Sequence, residues 1–209
     1  MRTTLLIFFI SVSTVFYCQT TTIDLYYGYH FCSDNYYNQL NSVDKFNPSK
    51  PFSTIGMAGT ERLPKRKYQK VKFSFFIPSK IIIQDSLSFR STGFVFDYDF
   101  SFDLIKNSPD KSKKKPFYFL VGLGFTTGQI YLGSNSLYNQ KNPYFSPKLT
   151  IQPRYRVKKI IFSLTFDYSY DVSKGKWKDT RINKKNVATI KDFKQSGLTA
   201  LFSIGYCYN

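Results

Sequence analysis

Between Ile160 and Ser173 the chain reads "IIFSLTFDYSYDVS", with a large apolar side chain at every second position. Ile160, Phe162, Leu164, Phe166, Tyr168, Tyr170 and Val172 share one parity; Ile161, Ser163, Thr165, Asp167, Ser169, Asp171 and Ser173 hold the other. Successive side chains of an extended backbone point to opposite faces, so a period of two predicts a strand with one apolar face. Aromatic and β-branched residues suit that pleated surface. The run outlasts the ~5–6 residues typical of soluble strands and meets the ~9–11 needed by a tilted strand to cross a bilayer.

The pattern recurs. Leu198, Ala200, Phe202, Ile204, Tyr206 and Tyr208 face away from Thr199, Leu201, Ser203, Gly205 and Cys207. In "GFVFDYDFSFDL", Phe94, Phe96, Tyr98, Phe100, Phe102 and Leu104 oppose Gly93, Val95, Asp97, Asp99, Ser101 and Asp103. "FYFLVGLGFTTG" and "LTIQPRYRV" alternate in the same way, and weaker versions run through Ile23–Phe31, Phe52–Thr60 and Lys67–Ile77. Heptads and amphipathic helices are absent from the pattern.

Period alone does not separate a barrel in lipid from a barrel in water, because soluble ligand-binding barrels also alternate. The residues opposite the apolar face do. They are mainly Gly, Ser, Thr and Asp, which fit inside a narrow barrel. The large Phe, Leu, Ile and Tyr side chains must then point outward, which in such numbers only lipid tolerates. Tyrosines near strand ends (Tyr168, Tyr170, Tyr206, Tyr208) sit where interfacial aromatic girdles belong. The expected fold is all-β: an antiparallel up-and-down transmembrane barrel of eight strands, at 22–32, 52–60, 67–77, 92–105, 116–131, 147–157, 160–173 and 195–208. Long connections at 33–51, 78–91, 132–146 and 174–194 are expected outside, and short turns with both termini in the periplasm. The segment "KIIIQDSLSFR" fits either an extension of the third strand or a further strand.

This pattern, with the C-terminal aromatic strand "FSIGYCYN", resembles the small outer-membrane β-barrels of the OmpA/OmpX-like type of Gram-negative bacteria. The resemblance covers nearly the whole chain after the leader and implies location in the cell outer membrane. The terminal strand resembles the assembly signal of that family.

The start of the chain adds a route. Arg2 precedes the apolar stretch Leu5–Tyr17, and Gln19 follows, which reads as a secretory signal peptide at residues 1–18 before a single domain at 19–209. Cleavage is expected after Cys18, with Ser13 as a competing site and lipidation of Cys18 as the alternative. Mean hydropathy of −0.30 excludes a helical membrane protein. Formal charge is +17; without Arg2 it is +16. Beyond the leader the cysteines are Cys32 and Cys207, an exported pair that suggests a disulfide by default. The strand order argues against it, since one cysteine falls at each end of the barrel.

Chemistry is sparse. The single histidine, His30, is framed by no nucleophile motif, so no catalytic residue is assigned and an enzyme is not expected. No spacing suits a metal and no cofactor is implied. "GLGFTTG" alternates as a strand and is not a phosphate loop. Two groups of residues stand out. Lys72, Asp97, Asp99, Asp103, Arg154, Arg156, Asp167 and Asp171 have inward parity and must pair or stay hydrated, since isolated buried charge is costly. Lys174, Lys176, Trp177, Lys178, Arg181, Lys184 and Lys185 form a basic loop with one tryptophan. The cations lie in turns and loops, without a basic strand face or aromatic platform, which excludes nucleic acid. They suit outer-membrane lipid, lipopolysaccharide phosphates and surface glycans. The expected function is a monomeric barrel with a structural or surface-interaction role in adhesion or the envelope, through basic extracellular loops. The alternative is a narrow, porin-like pore or transport component. A lipid-modifying barrel enzyme and a secreted soluble ligand-binding barrel fit the pattern less well.

Overall fold

The computed structural model describes residues 21–32, 52–83, 87–105, 116–134, 139–173, 178–179 and 196–208. Eight long strands follow in order: β1 (Thr21–Cys32), β2 (Phe52–Leu63), β3 (Lys67–Ile83), β4 (Leu87–Asp103), β5 (Phe117–Ser134), β6 (Asn139–Val157), β7 (Ile160–Ser169) and β8 (Gly197–Tyr208). Each pairs antiparallel with its sequence neighbour. β8 returns to β1 in a register from Thr21↔Tyr208 to Cys32↔Gly197, and the barrel closes. Closure removes every edge within the wall. A two-residue strand, Lys178–Asp179, pairs with Lys141 and Gln140 on β6.

Alternation decides the faces. Along β7 burial switches at every residue: Leu164 is 47% exposed and Thr165 1%. Outward residues from Ile160 to Val172 span roughly 30 Å along the barrel axis at ~3.3 Å rise and ~40° tilt, enough for an apolar band of ~25 Å. Leu25, Ile55, Met57, Phe75, Leu149 and Phe202 continue the belt on neighbouring strands. Tyr206 and Tyr208, edge to face at 5.1 Å, mark one rim, and Tyr27 and Tyr29, at 5.5 Å, lie toward the other. Among the described residues no helix is long and apolar enough to cross a membrane; the apolar belt is carried by the strands.

One rim holds the start of β1, the end of β8 and the tight turns. Val157–Ile160 turns through Lys158 at φ 55°, and Leu63–Lys67 through Lys65 and Arg66 at φ 57° and 61°. The opposite rim is uneven. β3 and β4 run to Ile83 and from Leu87, and β5 and β6 run to Ser134 and from Asn139, beyond the ends of β1, β2, β7 and β8. Segments 78–91 and 132–146, read from sequence as loops, are therefore largely strand, and "KIIIQDSLSFR" is the extension of β3 and β4 rather than an extra element. Pro78 lies at the register shift between Phe76 and Ser79, a bulge that tolerates the missing N–H. β7 ends at Ser169, although Tyr170 and Val172 still donate their N–H groups to the carbonyls of Pro147 and Phe145. The proposed leader at 1–18 and segment 33–51 lie outside the described residues.

Candidate functional site

The lumen holds the chemistry. Lys72 on β3, fully buried, holds Nζ beside Asp97 Oδ2 (3.4 Å) and Asp99 Oδ2 (3.6 Å) on the neighbouring β4, and reaches across the barrel to the Asp167 carboxylate on β7. β3 and β7 lie four strands apart in either direction, so that contact crosses the lumen diametrically. Lys148 on β6 reaches the same three acids: Asp97 Oδ1 at 3.1 Å, Asp99 Oδ1 at 2.8 Å and Asp167 Oδ2 at 3.4 Å. The Thr150 hydroxyl donates to Asp167 Oδ1 at 2.7 Å. Toward the turn rim a second group gathers on Asp24 of β1. Lys70 lies 3.9 Å from it, Arg154 Nη2 3.4 Å, and the hydroxyl of Thr60 donates at 3.4 Å.

Four cations (Lys70, Lys72, Lys148, Arg154) thus meet four carboxylates (Asp24, Asp97, Asp99, Asp167), all nearly withdrawn from solvent. That balance is what makes buried charge tolerable. Each ion gives up several kcal/mol of hydration, and recovers it only against opposite charge and hydrogen-bond partners. Glycines make room for the network. A Cβ on Gly205 would lie 1.8 Å from Asp24 Oδ1, and one on Gly124 would lie 2.5 Å from Asp99 Oδ1.

The network divides the lumen. On the loop side is a chamber of about 40 Å³ lined in part by His30, Asp97, Lys148 and Asp167. His30 Nδ1 shares a 2.8 Å hydrogen bond with Thr199 Oγ1. On the turn side is a chamber of about 50 Å³ reached by Arg154 and Arg156. Each holds a few waters at most. Cys207 is buried and free beside the second chamber. Cys32 pairs in register with Gly197, far along the strand from Thr22, the partner of Cys207.

Of the inward residues singled out from sequence, Lys72, Asp97, Asp99 and Asp167 come together, and Arg154 joins the neighbouring group at Asp24. The other three belong elsewhere. Asp103 sits at the turn rim, accepting from the N–H groups of Ile105 (3.2 Å) and Phe119 (3.1 Å). Asp171 sits at the loop rim, accepting from Ser173 N–H at 2.8 Å. Arg156 is half-exposed, and its Nε donates to the Lys158 carbonyl at 2.8 Å. The role of these three is to close strand ends, which parity alone does not distinguish from a role in mid-lumen.

Sequence reasoning misses Asp24, Lys70 and Lys148. Their signal is parity: Asp24 shares it with His30, Lys70 with Lys72, and Lys148 with Thr150 and Arg154. Of the basic loop, Lys174, Lys176, Trp177, Arg181, Lys184 and Lys185 lie outside the described residues; the Lys178 backbone pairs with Lys141. Among the described residues no cluster of His, Cys, Asp and Glu could hold a metal.

No protein-family model matches the chain, and no curated protein matches it. Solved structures do. The N-terminal β-barrel domain of Pseudomonas aeruginosa OprF aligns with a TM-score of 0.53 at 10% identity, covering 91% of this chain and 98% of that one. Ail, the attachment invasion locus protein of Yersinia pestis, in complex with the heparin analogue sucrose octasulfate, gives 0.55 at 9% identity over 90% and 98% of the two chains. A major outer membrane protein from Thermus thermophilus gives 0.52 at 9% over 90% and 99%. At these identities the likeness is one of fold. The apolar belt requires lipid, and the wall it coats has the architecture of outer-membrane proteins. In fold, then, the chain is an antiparallel barrel closed on eight strands, similar to the small barrels of outer-membrane proteins.

Proposed function

We propose that this protein is a sealed, non-catalytic barrel that acts at the cell surface, meeting lipopolysaccharide phosphates and surface glycans through the basic side chains of its loop end. The observation that carries this reading is the plug. Lys72 and Lys148 bind three carboxylates in mid-lumen, and the two small chambers are divided by those pairs. A lumen filled in this way leaves the rims as the surfaces for contact. Segment Ser173–Asn186 carries Lys174, Lys176, Lys178, Arg181, Lys184 and Lys185 against the single acid Asp179. The pairing of Lys178–Asp179 with β6 ties that segment to the extended β5–β6 hairpin. The solved complex of Ail with a heparin analogue supports the reading, since a barrel of this fold there meets a polyanionic sugar. A closed wall without free edges suits a monomer.

Binding of lipopolysaccharide and of sulfated glycans should fall as salt rises from about 0.1 M to 1 M, over which the Debye length shrinks from ~10 to ~3 Å. Changing the six basic residues to Gln should abolish most of it. Undiminished, salt-insensitive binding by that variant would contradict the surface reading and leave the loop a solvated connector.

A further inference from the structure

We propose that the turn-side mouth of the lumen is a binding site for a small oxyanion, held by Arg62, Arg154 and Arg156. The three side chains line one chamber of about 50 Å³ together with Thr60, Tyr68 and Cys207, and no residue lining it is acidic. This sets it apart from the rest of the lumen, where Lys72 and Lys148 each face three carboxylates, and from the loop-side chamber, which Asp97 and Asp167 line. Guanidiniums converging on a small space repel one another unless an anion lies between them.

Two of the three are held from behind. Arg154 Nη2 donates to Thr22 Oγ1 at 3.1 Å and to both Asp24 oxygens at 3.4 Å, while its buried Nε has no hydrogen-bond partner among the described residues. Arg156 spends its Nε on the Lys158 carbonyl, which leaves the terminal amino groups of its guanidinium for the chamber. Arg154 and Arg156 reach it because alternate residues of β6 face inward. Arg62 reaches it from β2, in register with the buried Tyr68. Forked guanidinium donors match the oxygen geometry of phosphate, sulfate and carboxylate. The Tyr68 hydroxyl supplies a neutral donor. The volume admits an inorganic phosphate or the terminal anionic group of a larger molecule, and excludes a whole nucleotide or sugar. This site faces away from the loop rim and is independent of the surface role proposed above.

The test uses the folded full chain in zwitterionic micelles, with inorganic phosphate as probe. Phosphorus NMR line broadening should titrate to saturation. Phosphate should also slow alkylation of Cys207 by iodoacetamide, followed by peptide mapping, while chloride at matched ionic strength does not. Arg62→Gln and Arg156→Gln lie outside the buried plug, so folding survives and is checked by heat-modifiable gel mobility. Each should weaken phosphate binding roughly tenfold, the ratio equivalent to ~1.4 kcal/mol, and the double variant should lose the protection of Cys207. A parallel arm with short-chain phosphatidylglycerol separates the sources: saturable response to phosphate assigns a free ion, and response to the lipid alone assigns a headgroup. No saturable response to either probe, or equal responses in wild type and double variant, would overturn the site.

Discussion

Replacing Lys72 with Met removes the cation at the centre of the plug while keeping a flexible chain of similar length. Lys72 is fully buried, with Asp97 at 3.4 Å, Asp99 at 3.6 Å and Asp167 in direct contact. In the variant Lys148 alone faces those three acids, and the balance of four cations to four carboxylates becomes three to four. Removing one partner of a buried ion pair costs ~3–5 kcal/mol because the remaining charge is stranded. Three acids left to share Lys148 argue for the upper part of that range. The chamber beside Asp97, whose side chain is 11% exposed, can supply water and argues against more. The expected loss is thus about 4 kcal/mol, read from the midpoint of reversible urea unfolding in phospholipid vesicles. Adding Asp167→Asn should return roughly 1–3 kcal/mol of it, the range of coupling for residues in contact. A loss of less than about 0.5 kcal/mol, the scale of a surface substitution, would refute the reasoning and mean that the central charges are hydrated rather than paired.

Other outcomes follow from the same geometry. Leu164→Arg should destabilise the barrel by roughly 2–4 kcal/mol in lipid vesicles, whereas Thr165→Ser should be nearly silent; a reversed order would swap every strand face. Gly205→Ala drives a methyl against Asp24 Oδ1 and should cost ~1–3 kcal/mol, seen as a lowered unfolding midpoint; an unchanged midpoint would contradict the close approach. Mass spectrometry of the unreduced protein after alkylation should find Cys207 modified and no Cys32–Cys207 bridge. The register sets Cys32 ten positions along β1 from Thr22, the partner of Cys207 (32 less 22), roughly 30 Å at ~3.3 Å per residue against the ~7 Å that a disulfide allows.

The wall was legible because lipid enforces parity. Phe94–Leu104, Phe117–Phe125 and Ile160–Val172 each place bulk on one side without interruption, and their burial follows that order. The hairpin ends were not legible, for a physical reason. Above the belt neither face need be apolar, so β3 beyond Ile77 and β6 before Pro147 lose the alternation that betrays a strand. Pro78 and Pro143 further imitate loop composition. The plug was half visible. Asp97, Asp99 and Asp167 declared themselves as acids on strand faces with strong alternation. Lys148 falls at the edge of the strand expected at 147–157, beside Pro147, where alternation has barely begun, and Asp24 lies on a strand whose outward face mixes Leu25 with tyrosines. Parity says which side chains enter the lumen. It does not say which strands face each other across it, and so the diametric Lys72–Asp167 contact awaited the closed barrel.

The central claim is that opposed charges seal the lumen and leave the surface to act. Electrical recording of the purified, refolded barrel in planar lipid bilayers tests it most directly. The account predicts a silent membrane for the wild-type protein after verified insertion. Stable, ohmic unitary steps from that protein would contradict the seal and return the barrel to the pores.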